Sequence, residues 1–511
     1  MSAPGRAAHS PIRPALLVTL TSLALTACAV GPQWKPPAAP AQKQYTAHAL
    51  PLKTASAPGA DGAAQQFVRG MRIDAEWYRV FGSPALDREI QAALQASPTR
   101  AIAQAHLQAA RAAVREAAGG RYPKLGLGAQ FGRNRTSGAQ FGISDPAFVN
   151  DFTLYQVQLA ASYDLDPFGA IARGIESREA EAQVARARLL ASELSLTDNV
   201  VASALAEAGA RAALQATGHI IATQARTLKL IRAQQHYGSA RRSDVLRAKA
   251  QLADSRAREP ALRQQMAVAR HRLRLLTAGT GDARAAFALT DFHLPTRLPL
   301  SLPSRLVRQR PDVLAAAAVM HAALAKVGVA DARLLPDITL SAGYGRTGLH
   351  AGDLLDPTAA IWNLGAGLVA PLFEGGSRHA AKQRAEAEYR AAAAAYRQTV
   401  LRAFDEVADS LRALQNDASA LTQRAEARAD AEQAAGLEQA RFKAGSADLV
   451  SLYLAQQQQQ QAEVAWVRAR QQRLLDTATL FRALGGGWWN AAAQTAQPSS
   501  ASTPSTSKDP A

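Results

Sequence analysis

Two prolines separated by 25 residues occur twice in this chain, as Pro98 and Pro123 and again as Pro311 and Pro336, at an offset of 213 residues. Beyond each second proline the two copies stay parallel. LGLGAQFGR from Leu125 matches ITLSAGYGR from Ile338, LYQVQLAASY from Leu154 matches IWNLGAGLVA from Ile361, and FGAIAR from Phe168 matches FEGGSR from Phe373. Further on, HYGSARRSDVLRAKA around Gly238 corresponds to FKAGSADLVSLYLAQ around Gly445. A repeat of this length governs the fold before any local reading does. Each copy reads as helix, strand, loop, strand, long helix, turn and long helix.

The strands are expected at about 124–133 and 154–163 in the first copy and at about 337–346 and 361–370 in the second. In the second copy Ile338, Leu340, Ala342 and Tyr344 alternate onto one face, and Trp362, Leu364, Ala366, Leu368 and Ala370 do the same after a polar loop. Thr339, Ser341, Gly343, Asn363 and Gly365 fall between them and are small or polar. Short strands with one greasy face, flanked by very long helices, suit a membrane barrel better than a soluble core.

No proline interrupts residues 168–259 or 372–497, so helices of several dozen residues are permitted. Tyr396, Val400, Phe404, Val407, Leu411 and Leu414 step by four or three, the spacing of a coiled-coil seam. A single helix over most of residues 376–441 would run roughly 100 Å at 1.5 Å per residue. Gly238 and Gly445 stand where one long helix must turn into the next. Pro260 should kink or interrupt the return helix of the first copy.

Four strands cannot close a barrel in lipid, because an open sheet leaves edge amides and carbonyls unsatisfied at several kcal/mol each. The chain is therefore expected to oligomerise in a ring. Strand arithmetic alone does not choose between dimer, trimer and tetramer.

The N-terminus fits a secretory signal over residues 1–27: Arg6 and Arg13, an apolar run over 15–25 too short to span a bilayer, then Leu25-Thr26-Ala27-Cys28. That tetrapeptide resembles the lipobox of bacterial lipoproteins, which implies a lipid on Cys28. Ala29 lacks the aspartate that keeps such proteins at the inner membrane, so the outer membrane is the expected destination. Cys28 is the single cysteine, which removes any disulfide framework. Residues 28–71, rich in Pro and Ala, read as an extended linker, and residues 490–511 as a disordered tail. Between them lie a first repeat over 72–290 and a second over 291–489.

The net charge is +17 for the whole chain. No helix-turn-helix, zinc finger or aromatic-basic RNA motif accompanies it, so it marks a solvated or channel-lining surface and no nucleic-acid partner is expected. His219, His236, His271, His293, His321 and His379 form no HExxH and no close acidic cluster, so no metal site is expected. Gly485 to Gly487 lack the lysine of a phosphate loop and read as a helix terminator, and no GxSxG elbow occurs. The chain is not expected to be an enzyme.

LPSRLVRQRPDV from Leu302, the paired strand units, the lipobox and ALGGGWW from Ala483 together resemble the TolC-like outer-membrane efflux factors, in their lipoprotein branch. The resemblance covers residues 75–489. It implies a mixed α and β membrane protein: a homotrimer whose outer-membrane β-barrel, four strands per protomer and twelve in all, continues into a long α-helical coiled-coil barrel through the periplasm. It also implies docking to an inner-membrane pump through a periplasmic adaptor, and no cofactor beyond the lipid.

Relatives close the tunnel at the periplasmic tip with acidic and polar residues after the turn glycines. Asp244 matches the acidic position of the first copy; Ser451 and Leu454 stand where relatives often carry aspartate in the second, with Asp448 nearby and Arg241 and Arg242 able to pair with acids. The implied function is a passive exit duct for small molecules, gated at that tip. An exit duct for protein secretion and a lipid-tethered periplasmic scaffold are the alternatives; the scaffold would have no need of lipid-facing strands.

Overall fold

The computed structural model describes residues 30–491, apart from 39, 43, 47–50, 60, 138–141, 143–149 and 283–285. The signal segment, Cys28 and the tail beyond 491 lie outside the described residues.

Strand β1 is Gln66–Arg69, followed by helices α1 (Pro84–Ala96) and α2 (Pro98–Ala118), strands β2 (Lys124–Thr136) and β3 (Asn150–Leu165), and helices α3 (Ala170–His236) and α4 (Arg242–Leu276). After these come β4 (Arg297–Leu300), the short α5 (Pro303–Leu306), α6 (Pro311–Ala332), β5 (Asp337–Gly348), β6 (Ala360–Val369), α7 (Ser377–Lys443) and α8 (Leu449–Ala483). Both α3 and α7 have 67 residues, and both α4 and α8 have 35.

Contacts divide the chain into two units that cut across the sequence division near residue 290. Over the described residues, the first comprises 30–37, Leu107–Ala185 and Ala316–Tyr396; the second comprises 38–106, Arg186–Ala315 and 397–491. The first unit takes a piece of both copies because their strands pair with one another. β2, β3, β5 and β6 form one antiparallel sheet in that order, and β3 of the first copy pairs with β5 of the second.

In the second unit the seam of α7 is buried: Val400, Phe404, Val407, Leu411 and Leu414 are all below a tenth exposed. Burial of such side chains contributes about 1.5–3 kcal/mol each, which supports helices too long to be held by propensity. Of the kink or interruption expected at Pro260, the interruption does not occur, since α4 runs on through it. Its ring lies on the exposed face, as does Arg256, whose carbonyl loses its amide partner and can be solvated there.

The segment 28–71 is not a free linker over its described residues. Within the second unit, β1 pairs in parallel with β4, Gln66 beside Arg297 and Arg69 beside Leu300. The fully buried Arg473 of α8 gathers the preceding stretch, donating to the carbonyls of Asp61 at 2.9 Å and Ala63 at 2.8 Å and to Thr54 Oγ1 at 3.2 Å. A buried guanidinium needs several fixed acceptors, and the extended backbone provides them.

The two most distinctive sequence motifs meet each other. Arg310 of the LPSRLVRQRPDV stretch is buried, grips Asp312 through two bonds of 3.0 and 2.7 Å, reaches Glu406 at 2.8 Å and donates to the Ala483 carbonyl at 3.0 Å. Burial alone would lower its pKa, but the two carboxylates outweigh it and the pKa is raised. Trp488 Nε1 returns the contact by donating to the Gln309 carbonyl at 2.7 Å. Thus one motif closes the end of α8 and starts α6, which makes both motifs fold determinants and leaves chemistry to other residues.

Candidate functional site

Within the first unit, the sheet presents two chemically opposite faces. Leu127, Leu159, Tyr344 and Trp362 are registered in one row across all four strands, and all four are exposed, Leu127 at 76% and Trp362 at 78%. The next row is Leu125, Ala161, Ala342 and Leu364, and Ile338 pairs with Leu368 further along. This is the apolar face expected from alternation, now extended over both copies.

The other face begins one residue away on every strand. Lys124, Ser162, Ser341 and Gly365 form one of its rows, and Gly126, Ala160, Gly343 and Asn363 another. Gln158 Nε2 donates to Asn363 Oδ1 at 3.1 Å across β5. That bridge needs Gly343 beneath it, since a Cβ there would sit 2.2 Å from Gln158 Nε2. An apolar exposed face opposite a polar one is what a wall between lipid and water requires. Among the described residues β2 and β6 each have one unpaired edge.

Helix α6 passes for a membrane helix by length and composition, with mean hydropathy 1.8. However, Lys326 pairs with Glu181 at 2.9 Å and Asp331 with Lys382 at 2.7 Å, so its charged side chains face protein partners.

The hairpin turns lie in the second unit. Gly238 and Gly445 both take positive φ, 79° and 76°, and end α3 and α7 with matching turns in which Ser239 N–H reaches the Gln234 carbonyl and Ser446 N–H the Arg441 carbonyl. Leu228, Ile231, Val245, Leu252, Leu449 and Leu452 pack into one buried cluster, with Phe442 and Tyr453 against it. The ends of all four long helices thus share a small core.

Around that core the sequence-predicted gate residues take specific places. Asp244 accepts from the Arg241 backbone N–H at 3.0 Å and so caps α4. Asp448 is the N-cap of α8 and accepts from Ser451 N–H at 2.7 Å. Hydrogen bonds from the Ser451 hydroxyl and N–H hold Asp448 below the usual carboxylate range, helped by the charge of Arg247. Ser451, Leu454, Arg241 and Arg242 are exposed, and neither arginine forms an ion pair among the described residues. The cation acting on Asp448 is therefore Arg247, which sequence reasoning missed because it lies in the other copy. Tyr453 is a second omission: its hydroxyl is buried without a hydrogen-bond partner, and burial together with the charge of Asp244 raises its pKa.

Among the described residues no group of three or more His, Cys, Asp or Glu side chains is arranged to hold a metal ion. His321 is bound instead to Glu176, at 2.8 Å.

The family model described as outer membrane efflux protein matches residues 90–279 and again 302–486. The chain belongs to that family. It is 30% identical to the outer membrane protein OprJ of Pseudomonas aeruginosa over 482 residues, covering 93% of this chain and 95% of that one. It is also 30% identical to the pyoverdine export outer membrane protein OpmQ of Pseudomonas putida over 424 residues, 81% of this chain and 88% of that one. Among solved structures, the outer-membrane channel OprN superposes with a TM-score of 0.81 at 28% identity, over 90% of this chain and 100% of that one.

The protein is accordingly an outer-membrane channel component of an efflux system, with the mostly helical, sheet-bearing fold of the TolC-like channels. Its family is one of ducts and not of enzymes.

Proposed function

We propose that three copies of the chain close their four-stranded sheets into a twelve-stranded barrel, with the long helices continuing as a coiled-coil tunnel through the periplasm. The duct is passive: small molecules enter from an inner-membrane pump coupled through a periplasmic adaptor and leave at the cell surface. Cys28 carries the lipid, and no other cofactor takes part.

The observation that carries this reading is the sheet itself, with one apolar exposed face, one polar face and two unpaired edges. A periplasmic scaffold has no use for such a wall. Neighbouring copies that join β6 to β2 satisfy both edges at once and leave none in lipid.

The gate is placed at the hairpin ends, on Asp244, Asp448, Ser451 and Leu454, with Arg241 and Arg242 at its rim. Asp244 and Asp448 each have one carboxylate oxygen engaged in a helix cap, which fixes their position and leaves charge at the tip. Planar-bilayer conductance of the purified lipidated protein, with its oligomeric mass measured in the same detergent, tests both parts. Trimers that are nearly closed, and that open in the double variant Asp244→Asn with Asp448→Asn, are expected, because asparagine keeps the cap and removes the charge. Trimers unaffected by the change would move the gate elsewhere, and a non-conducting monomer would end the channel reading.

A further inference from the structure

Arg173 of α3 is a buried cation whose donors are aimed at the start of the chain. Its side chain donates through Nε to the Val30 carbonyl at 3.4 Å and through Nη2 to the Gly31 carbonyl at 3.3 Å, while Nη1 pairs with Glu176 at 2.7 Å. Val30 N–H in turn donates to the Phe168 carbonyl at 3.0 Å, just before α3 begins. A few residues on, the Trp34 ring is stacked on His321 of α6, with centroids 4.5 Å apart and planes within 12°. His321 closes the group through its bond to Glu176.

Backbone contact at the same place is equally specific. Gly31 takes φ of +98°, and a Cβ on it would lie 2.7 Å from the Gly328 Cα, so the N-terminal segment crosses α6 glycine against glycine. Arg378, aligned with Arg173 in the second copy, has no such visitor among the described residues: it binds Glu374 and the Arg333 carbonyl. Among the described residues the arrangement thus occurs once, where the N-terminal segment passes. Without that segment the buried guanidinium would lose two of its acceptors, which is costly for a charge out of water.

We propose that Arg173, Glu176, His321 and Gly328 form a seat for the lipid-bearing end of the chain, with Trp34 as the plug. Residues 30–34 are held beside the end of β3, so the acyl group on Cys28, two residues upstream of Val30, enters the bilayer next to its own protomer's sheet and does not swing on a long linker. This rests on the reading of Cys28 as the lipidated residue.

Chymotrypsin digestion of the mature protein purified from the outer membrane tests it, since cutting after Trp34 requires that ring to leave His321 and enter the protease. The wild type is expected to be cut there at least ten-fold more slowly than Gly31→Val or His321→Ala, with the oligomeric mass of all three unchanged. His321→Phe, which keeps a stacking ring, is expected to recover part of the protection; a merely general loosening of the fold would not be reversed this way. Equal rates in wild type and Gly31→Val would overturn the seat. The mass of the released peptide ending at Trp34 separates the two readings: protection together with a peptide lacking acyl mass would leave residues 30–34 docked but overturn the lipid placement.

Discussion

Asp417 of α7 and Asp476 of α8 are two carboxyl groups set near enough to act on one another, and Asp417 Oδ2 is buried without a hydrogen-bond partner. Burial, and then Asp476, push Asp417 up to about 8, with Arg473 opposing.

The sign of the resulting pH dependence comes from linkage. The folded chain holds the Asp417 proton more tightly than the unfolded one, so the stabilisation is present in acid and is lost as pH rises from about 4 to about 8. Asp417→Asn cannot lose a proton and its amide can donate to Asp476. Its stability advantage over the wild type is expected to grow across that window to about 1–2 kcal/mol, discounted for solvent at a half-buried site, and then level off. Thermal melts of both proteins from pH 4 to 9 would check it; a constant difference would rule out the raised Asp417 pKa.

Arg310 should be intolerant of change. Arg310→Met leaves Asp312 and Glu406 without their buried cation and the Ala483 carbonyl without its donor, at a cost of roughly 3–5 kcal/mol. Arg310→Lys should recover little, because a single ammonium cannot make the two-pronged contact to Asp312 while also reaching α8. Denaturant midpoints of the two variants give the comparison.

Leu159 and Ala160 are neighbours in sequence on opposite faces of the sheet. Leu159→Arg places a charge in lipid, costing about 2–4 kcal/mol near the midplane, and should reduce the amount of heat-resistant oligomer in the outer membrane. Ala160→Arg faces the polar side and should assemble normally while altering single-channel conductance. The reverse pattern would exchange the two faces.

Gly343→Leu should assemble poorly for a different reason, since any side chain there displaces the bridge between Gln158 and Asn363. The companion change Asn363→Gly removes one of the two crowding groups and is expected to restore part of the oligomer, measured on the same gel.

Much was legible because periodic signals report local structure. The 213-residue offset, the alternation from Ile338 to Tyr344 and the long proline-free runs all survive unaided, since backbone geometry ties side-chain direction to sequence spacing. The turn glycines were legible for the same reason. Pairing was not: nothing in residues 66–69 announces a strand, because two four-residue strands 231 positions apart have no local pattern, and β1 exists only where β4 lies beside it.

The tip shows the same division. Asp244 and Asp448 could be placed after their turns from the sequence, but their capping bonds, the approach of Arg247 and the buried Tyr453 hydroxyl depend on helices from both copies meeting. The sequence by itself determined the element order and the faces of the strands, each a consequence of spacing. Only the tertiary structure decided that Arg310, Arg473 and Arg173 are buried and what they hold, because a buried cation is defined by distant acceptors that no local pattern encodes.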